Sequence, residues 1–92
     1  MKNISEHEYL KSEYTKINNL FLKGNFNLVI EKSKKLIKKY PKQMPFYNLL
    51  ALSNRELGNF SLAIKVLNSA LEINSNNHTV LNNLGSTYRV MG

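Results

Sequence analysis

The sequence has 92 residues, a formal net charge of +7 and no cysteine. A chain of this length forms one small domain whose core supplies only about 3–5 kcal/mol of net stability. Without cysteine it has neither a disulfide framework nor a thiolate metal site or nucleophile, and the two histidines, His7 and His78, stand in no His/Cys cluster. We therefore predict no metal and no cofactor.

The expected cellular localisation rests on two features that the sequence lacks. No apolar run reaches the roughly 18–20 residues that cross a bilayer, and no apolar signal segment opens the sequence. We expect a cytoplasmic protein without a membrane partner.

The positive charge is concentrated in the first half. Residues 1–43 hold ten basic and four acidic residues, for +6, whereas residues 44–92 hold three basic and two acidic residues, for +1. Six lysines crowd one predicted helix and its end: Lys32, Lys34, Lys35, Lys38, Lys39 and Lys42. Such a run is most often a solvated helix face, so the sequence does not favour nucleic acid as a partner. Weak binding of RNA or of an anionic membrane surface through this helix is an alternative.

The first predicted helix begins at Glu6 and runs to a stop at Gly24. Ser5 and Glu8 form a capping box, in which the Ser5 hydroxyl accepts from the Glu8 amide and the Glu8 carboxylate reaches back to the Ser5 amide. Apolar residues then recur at spacings of three and four: Leu10, Tyr14, Ile17, Leu20 and Phe21. The second helix is capped by Asn25 and ends at Pro41, which disfavours the helical region for Tyr40 and lacks an amide donor.

Three more helices follow, and none of the chain shows the alternating pattern of a half-buried strand. We predict them over about Pro45–Leu57, about Phe60–Ile73 and His78–Met91, with a polar break over residues 74–77 before the last. The fold is therefore predicted to be all-α.

An internal repeat organises these helices. Gly24, Gly58 and Gly92 lie 34 residues apart, each at the end of a helical pattern, and the same shift aligns Asn25-Phe26 with Asn59-Phe60. A helix–turn–helix period of 34 residues resembles the tetratricopeptide repeat. The resemblance implies a tandem helix-turn-helix solenoid of about five antiparallel helices in a single domain over residues 1–92. Its first repeat would cover about 6–43, its second 44–77, and a half repeat or capping helix 78–92.

Small residues stand where the family's helices press together. Ala51 and Gly85 occupy this place on the first helix of a repeat, and Ala63 and Ala70 occupy it on the second, because helices packed at about 8–10 Å leave no room for long side chains. The first repeat departs from the pattern, with Glu13 and Lys16 at positions that are normally apolar. We expect its first helix to be rotated or shifted by about one residue, using Tyr14, Ile17 and Phe21 instead.

No constellation of residues indicates catalysis. The glutamates are either explained by capping or scattered, aspartate is absent, and the four glycines fall at turn and packing positions of the repeat rather than in a phosphate loop. We predict no catalytic residue.

The resemblance instead implies a binding surface on the concave side, lined by the first helix of each repeat. Carried over position by position, the expected binding residues are Lys11, Tyr14, Asn18, Phe21, Asn48, Leu52, Arg55, Asn82, Asn83, Ser86 and Arg89. Asn83 falls where longer arrays hold a peptide backbone. Of the family's clamp for a carboxy-terminal carboxylate only Asn18 fits, which argues against that ligand.

Arg55 and Arg89 lie one repeat apart, and we expect them about 10 Å apart on one side of the molecule. We predict that they hold an extended peptide together with Asn48 and Asn82, through charge-assisted hydrogen bonds. The alternative is that both arginines are ordinary exposed residues.

The resulting functional prediction is a non-catalytic module that binds a peptide or protein segment. One alternative is the amino-terminal part of a larger transferase that presents substrate or forms oligomers. The segments Tyr47–Leu50 and Leu81–Gly85 also resemble the amino-terminal repeats of bacterial proteins in which a repeat array precedes a transferase-like domain. The end of the sequence at a turn position suggests a truncated array. Apolar residues of the last two helices, such as Val66, Ile73, Leu81 and Tyr88, are expected to be exposed and to favour self-association.

Overall fold

The computed structural model describes residues 4–92. Residues 1–3 of the predicted domain lie outside the described residues. The described chain consists of five α-helices and contains no strand: α1 (Glu6–Leu22), α2 (Phe26–Lys39), α3 (Met44–Glu56), α4 (Phe60–Ile73) and α5 (His78–Met91). The predicted all-α class is confirmed. The bounds of α4 and α5 are those that the sequence predicts.

Side-chain caps begin the first and last helices. The Glu8 amide donates to Ser5 Oγ at 3.1 Å, as predicted, but the Ser5 hydroxyl in turn donates to the Glu8 carboxylate at 3.4 Å, in place of the predicted bond from the Ser5 amide. At α5 the Val80 amide donates to Asn77 Oδ1 at 3.0 Å. Each cap satisfies an amide that the helix itself leaves without an acceptor.

Two helices end in the same glycine turn, 34 residues apart. After α1 the Gly24 amide donates to Phe21 O and the Asn25 amide to Leu20 O, and after α3 the same pair of bonds recurs around Gly58. Both glycines have positive φ, +80° and +82°. This is a Schellman motif, which needs a left-handed residue and therefore favours glycine.

The same turn explains why the predicted cap at Asn25 is wrong. Asn25 occupies the position before α2 but makes no side-chain capping bond, and its ψ is 59°. The capping residues Ser5 and Asn77 instead have extended backbones, with ψ of 159° and 109°. A capping side chain reaches the helix amides from the extended region, which the tight Schellman turn does not allow.

The helices stack in chain order into an elongated body with extents of 53 × 29 × 18 Å. Each helix packs on the next one, and α3 also packs on both α1 and α5, whereas α2 and α4 make no contact of this kind in the described chain. The odd-numbered helices therefore approach one another on one side while the even-numbered helices diverge on the other. This is the packing of a helical solenoid.

The core consists of two clusters. Each cluster is formed by a helical pair together with side chains of the helix that follows the pair. The first cluster joins α1 and α2 with Phe46 and Leu49 of α3. The second joins α3 and α4 with Val80 of α5. Phe46 and Val80 are equivalent residues, 34 apart, and are 1% and 0% exposed.

The two helical pairs fill equivalent core positions with differently sized residues. The first pair has Ile17, Val29, Ser33 and Leu36 where the second has Ala51, Ala63, Leu67 and Ala70, and all eight are buried. Leu10 and Ile17 are buried as their equivalents Met44 and Ala51 are, so α1 keeps the register of α3 and is not shifted. Ile17 and Phe21 do pack in the first core cluster as expected, whereas Tyr14 is exposed.

The polar departures in α1 lie at its uncovered side. Glu13 and Lys16 form an ion pair at 3.3 Å, with the lysine side chain largely exposed. Their equivalents Tyr47 and Leu50 are buried, because α3 lies between two helical neighbours on each side of the stack. Within the described residues no helix covers this side of α1, so packing does not exclude charged residues there.

The last helices carry several exposed apolar residues. Ile73, Leu81 and Tyr88 are 43%, 42% and 52% exposed, as predicted, but Val66 is half-buried and packs against the second core cluster. Self-association through this face stays a prediction. Gly85 is not a crossing residue in the described chain, because the nearest atom to a methyl group added at this position would be Arg89 Nη1, at an ordinary 3.9 Å.

Alanine at two of the glycines is expected to change stability in opposite directions. Gly58→Ala places a side chain at a φ of +82° and destabilises the fold by about 1 kcal/mol, although nothing lies within 4 Å of the new carbon. Gly85→Ala lies inside α5 and stabilises it by about 0.5–1 kcal/mol. Thermal unfolding followed by circular dichroism measures both, and a shift of the two midpoints in the same direction would contradict the assignment of the turn.

A bulky residue at Ala63 is expected to destabilise the fold by about 1–3 kcal/mol, because the site is fully buried at the α3–α4 crossing. The matched control is Leu62→Phe on the same helix, at a residue that is 50% exposed. Urea unfolding of the two variants makes the comparison. An unchanged midpoint for Ala63→Phe would show that the repeat register is wrong.

Candidate functional site

A groove follows the side of the molecule on which α1, α3 and α5 approach one another. It consists of two connected compartments, and we refer to both together as the inner groove. The first compartment, of about 350 Å³, lies between the beginning of α1 and the beginning of α3. The second, of about 410 Å³, is lined by all three odd-numbered helices. Tyr14 and Pro45 line both compartments and so connect them.

The second compartment combines an apolar floor with a rim of amides. Its residues are Tyr14, Asn18, Phe21, Met44, Pro45, Asn48, Leu49, Leu52, Asn77, Thr79 and Asn83. Leu49 and Met44 are buried, while Asn18, Asn48 and Asn83 are half-buried. Such a surface offers apolar contact and hydrogen bonds at the same time.

An amide pair joins α3 to α5 across the second compartment. Asn83 Nδ2 donates to Asn48 Oδ1 at 2.8 Å, over 35 residues of sequence. The bond leaves the Nδ2 group of Asn48 and the Oδ1 atom of Asn83 without a partner among the described residues. The Asn48 amide group, with two N–H donors, and one acceptor oxygen of Asn83 are therefore available to a ligand.

The arginines lie beyond the groove rather than inside it. Arg55 Nη1 donates to Ser86 Oγ at 3.0 Å, a second bond between α3 and α5. Arg89 is exposed, and its guanidinium lies over its own helix near Gly85. Neither arginine lines either compartment.

The inner groove gathers most, but not all, of the predicted binding residues. Seven of them line it: Lys11, Tyr14, Asn18, Phe21, Asn48, Leu52 and Asn83. Arg55 and Ser86 bond to each other next to it. Asn82 and Arg89 are exposed and line neither compartment.

Sequence reasoning did not identify several lining residues. In the second compartment these are Met44, Pro45, Leu49, Asn77 and Thr79, and in the first they are Glu6, His7, Leu10, Gln43 and Phe46. The 34-residue period could have identified two of them. Pro45 and Thr79 are the equivalents of Lys11, a predicted binding residue, and all three line the groove. The stagger between helices, which selects Asn83 rather than Asn82, has no counterpart in the sequence.

A buried tyrosine fixes the loop that brings Pro45 to the groove. The Tyr47 hydroxyl donates to Pro41 O at 2.7 Å, which ties the first turn of α3 to the beginning of the preceding loop. Burial raises the pKa of Tyr47 above its ordinary value of 10.0. The hydroxyl therefore stays protonated and donates this bond at neutral pH.

The described residues contain neither a cluster of metal-ligating side chains nor a membrane-spanning helix. Over residues 4–92 no group of three His, Cys, Asp or Glu side chains is placed to hold a metal ion. In the same range no helix has the length and apolar character needed to cross a membrane.

The fold is a helical-repeat solenoid, and its inner groove is lined by side chains of α1, α3 and α5. The family model described as TPR repeat matches residues 51–92, so this part of the chain is similar to that family. The match covers the part in which Ala51, Ala63 and Ala70 keep the small residues of the pattern. No curated protein matches the sequence. TPR repeats generally mediate protein–protein interaction and are generally non-catalytic.

Asn48 and Asn83 are expected to stabilise the fold jointly. In a double-mutant cycle of Asn48→Ala and Asn83→Ala, we expect a coupling free energy of about 0.5–1.5 kcal/mol, since each single change already removes the shared hydrogen bond. Urea unfolding supplies the four free energies. Asn48→Ala combined with Asn82→Ala is the control, because Asn82 is exposed. Strict additivity of the Asn48 and Asn83 changes would show that the bond does not contribute.

Proposed function

We propose that this chain is a non-catalytic interaction module that binds an extended segment of a peptide or protein in the inner groove. The observation that carries the proposal is the second compartment, because all three odd-numbered helices contribute to one continuous surface there. A site assembled from three helices is a product of the stacking itself. It suits a ligand that contacts several helices at once rather than a small molecule held by one element.

The amide pair supports a ligand with an exposed main chain. A peptide backbone presents carbonyl acceptors and amide donors, and Asn48 Nδ2 and Asn83 Oδ1 offer their complements. The half-buried placement of both asparagines strengthens such bonds, since little water competes there. The resemblance to longer arrays implies the same use for Asn83.

The arginines take a different part in this proposal from the one predicted by the sequence. Arg55 is engaged by Ser86 and lies outside the compartment, so it positions α5 against α3 and does not hold the ligand. The main contacts are then the amides of Asn48 and Asn83 and the apolar floor beneath them.

The test is selection of peptides from a random display library on the purified 92-residue chain. Affinities of the selected peptides are then measured by fluorescence anisotropy. We expect Asn48→Ala to weaken binding about tenfold, which corresponds to the loss of one hydrogen bond of about 1–1.5 kcal/mol. Asn68→Ala, an exposed asparagine on α4, is the matched control and is expected to leave the affinity unchanged.

Two results would contradict the proposal. One is a library from which the folded chain selects no peptide. The other is a selected peptide whose affinity is the same for the unaltered protein, for Asn48→Ala and for Asn83→Ala, because it would then bind elsewhere on the molecule.

A further inference from the structure

The second compartment has no charged lining. None of the side chains around it is acidic or basic, although the protein carries 13 basic residues and a net charge of +7. The guanidinium of Arg55 does not line this compartment and donates to Ser86 instead. The second compartment is therefore electrically neutral on an otherwise basic molecule.

A neutral compartment selects against charged ligand side chains of either sign. A carboxylate or an ammonium group that enters it loses hydration and meets no counter-charge, which strongly disfavours binding. An apolar side chain loses nothing and covers the floor made by Phe21, Met44 and Leu49. In an extended segment alternate side chains point the same way, so every second residue of the ligand faces this floor.

The first compartment differs in its rim. Its floor includes the buried residues Leu10 and Phe46, with the Tyr14 ring edge-on to Phe46 at 6.3 Å between centroids. Its rim carries Glu6, His7 and Lys11, which are exposed and include both signs of charge. Charged residues of a ligand are thus compatible with this compartment and not with the second one.

The length of the ligand follows from the length of the groove. The two compartments extend along α1 from Glu6 to Phe21, a rise of about 22 Å at 1.5 Å per residue. An extended chain covers about 3.3 Å per residue, so about six or seven residues fill the groove.

We infer that the groove binds an extended segment of about six or seven residues, uncharged and apolar over the second compartment, with any charged residues over the first. This inference rests on the proposed function and adds the chemical class of the ligand. The selection is made by exclusion of charge, not by a basic clamp on an acidic tail.

The experiment is a charge scan of the tightest peptide from the display library. Each position is replaced in turn by Glu and by Lys, and binding to the 92-residue chain is measured by anisotropy. We expect both replacements to weaken binding about tenfold or more at the positions that face the second compartment, and both to change it less than about threefold elsewhere. Equal loss for the two signs is the signature of a neutral compartment.

The complementary experiment adds a charge to the protein instead of to the peptide. Leu52 is half-buried at the edge of the compartment, so Leu52→Lys can keep its ammonium near water while it adds a positive charge there. We expect this variant to bind the Glu-substituted peptide about tenfold more tightly than the Lys-substituted one, and the unaltered protein to show no such preference. Leu52→Met is the control for the change of shape.

The outcomes separate the two proposals. If the chain selects no peptide, the proposed function fails and this inference falls with it. If a peptide binds and needs Asn48 and Asn83, but a Glu replacement in it strengthens binding to the unaltered protein, only the inference of a neutral ligand is overturned. Tight peptides that need just two or three residues would overturn the inferred length.

Discussion

The structure depends on the fact that no helical pair in this chain completes its own core. Phe46 of α3 closes the cluster between α1 and α2, and Val80 of α5 closes the cluster between α3 and α4. Because these side chains are inserted by equivalent residues 34 apart, successive pairs are forced into the same relative placement. That placement brings α1, α3 and α5 together on one side and separates α2 from α4 on the other. The inner groove is a consequence of core closure and not a separate feature.

The charges of the molecule are also distributed unevenly between the groove side and the side on which α2 and α4 diverge. The lysines of α2 are all exposed, and their arc on the helix lies opposite Val29, Ser33 and Leu36, which are buried. The equivalent positions in α4 hold mostly uncharged residues, yet α4 packs on α3 as α2 packs on α1. The lysine run is therefore not required by the fold. The lysine run lies on the diverging side of the stack, while the second compartment has no charged lining.

Local rules in the sequence determine the helices, and the limits of prediction begin where two helices meet. Ser5, Asn77, Gly24 and Gly58 set the ends of helices through contacts within a few residues, so their roles are predictable from spacing. The buried places of Ala63 and Ala70 are likewise predictable, because a period of 34 identifies the crossing points. The bond between Arg55 and Ser86 joins residues 31 apart, and its existence depends on a stagger that the period does not define.

The groove shows the same limit in more detail. The period places Asn48 and Asn82 at equivalent positions and suggests that they act together, whereas the partner of Asn48 is Asn83. Equivalent residues point to equivalent directions only if each helix has the same neighbours. In the described chain α3 has helices on both sides and α5 has them on one. On the groove side, a translation by 34 therefore carries over the positions of side chains and not their contacts.

The last helix connects stability with binding. Through Val80 it completes the second core cluster, and through Asn77, Thr79 and Asn83 it forms one wall of the second compartment. Two hydrogen bonds, from Asn83 to Asn48 and from Arg55 to Ser86, hold it against α3 on the groove side. Any loosening of α5 would open the core and the groove at the same moment, since the same helix covers both. A ligand that contacts Asn48 and Asn83 together bridges α3 and α5, and its binding energy adds to the packing that keeps the stack closed.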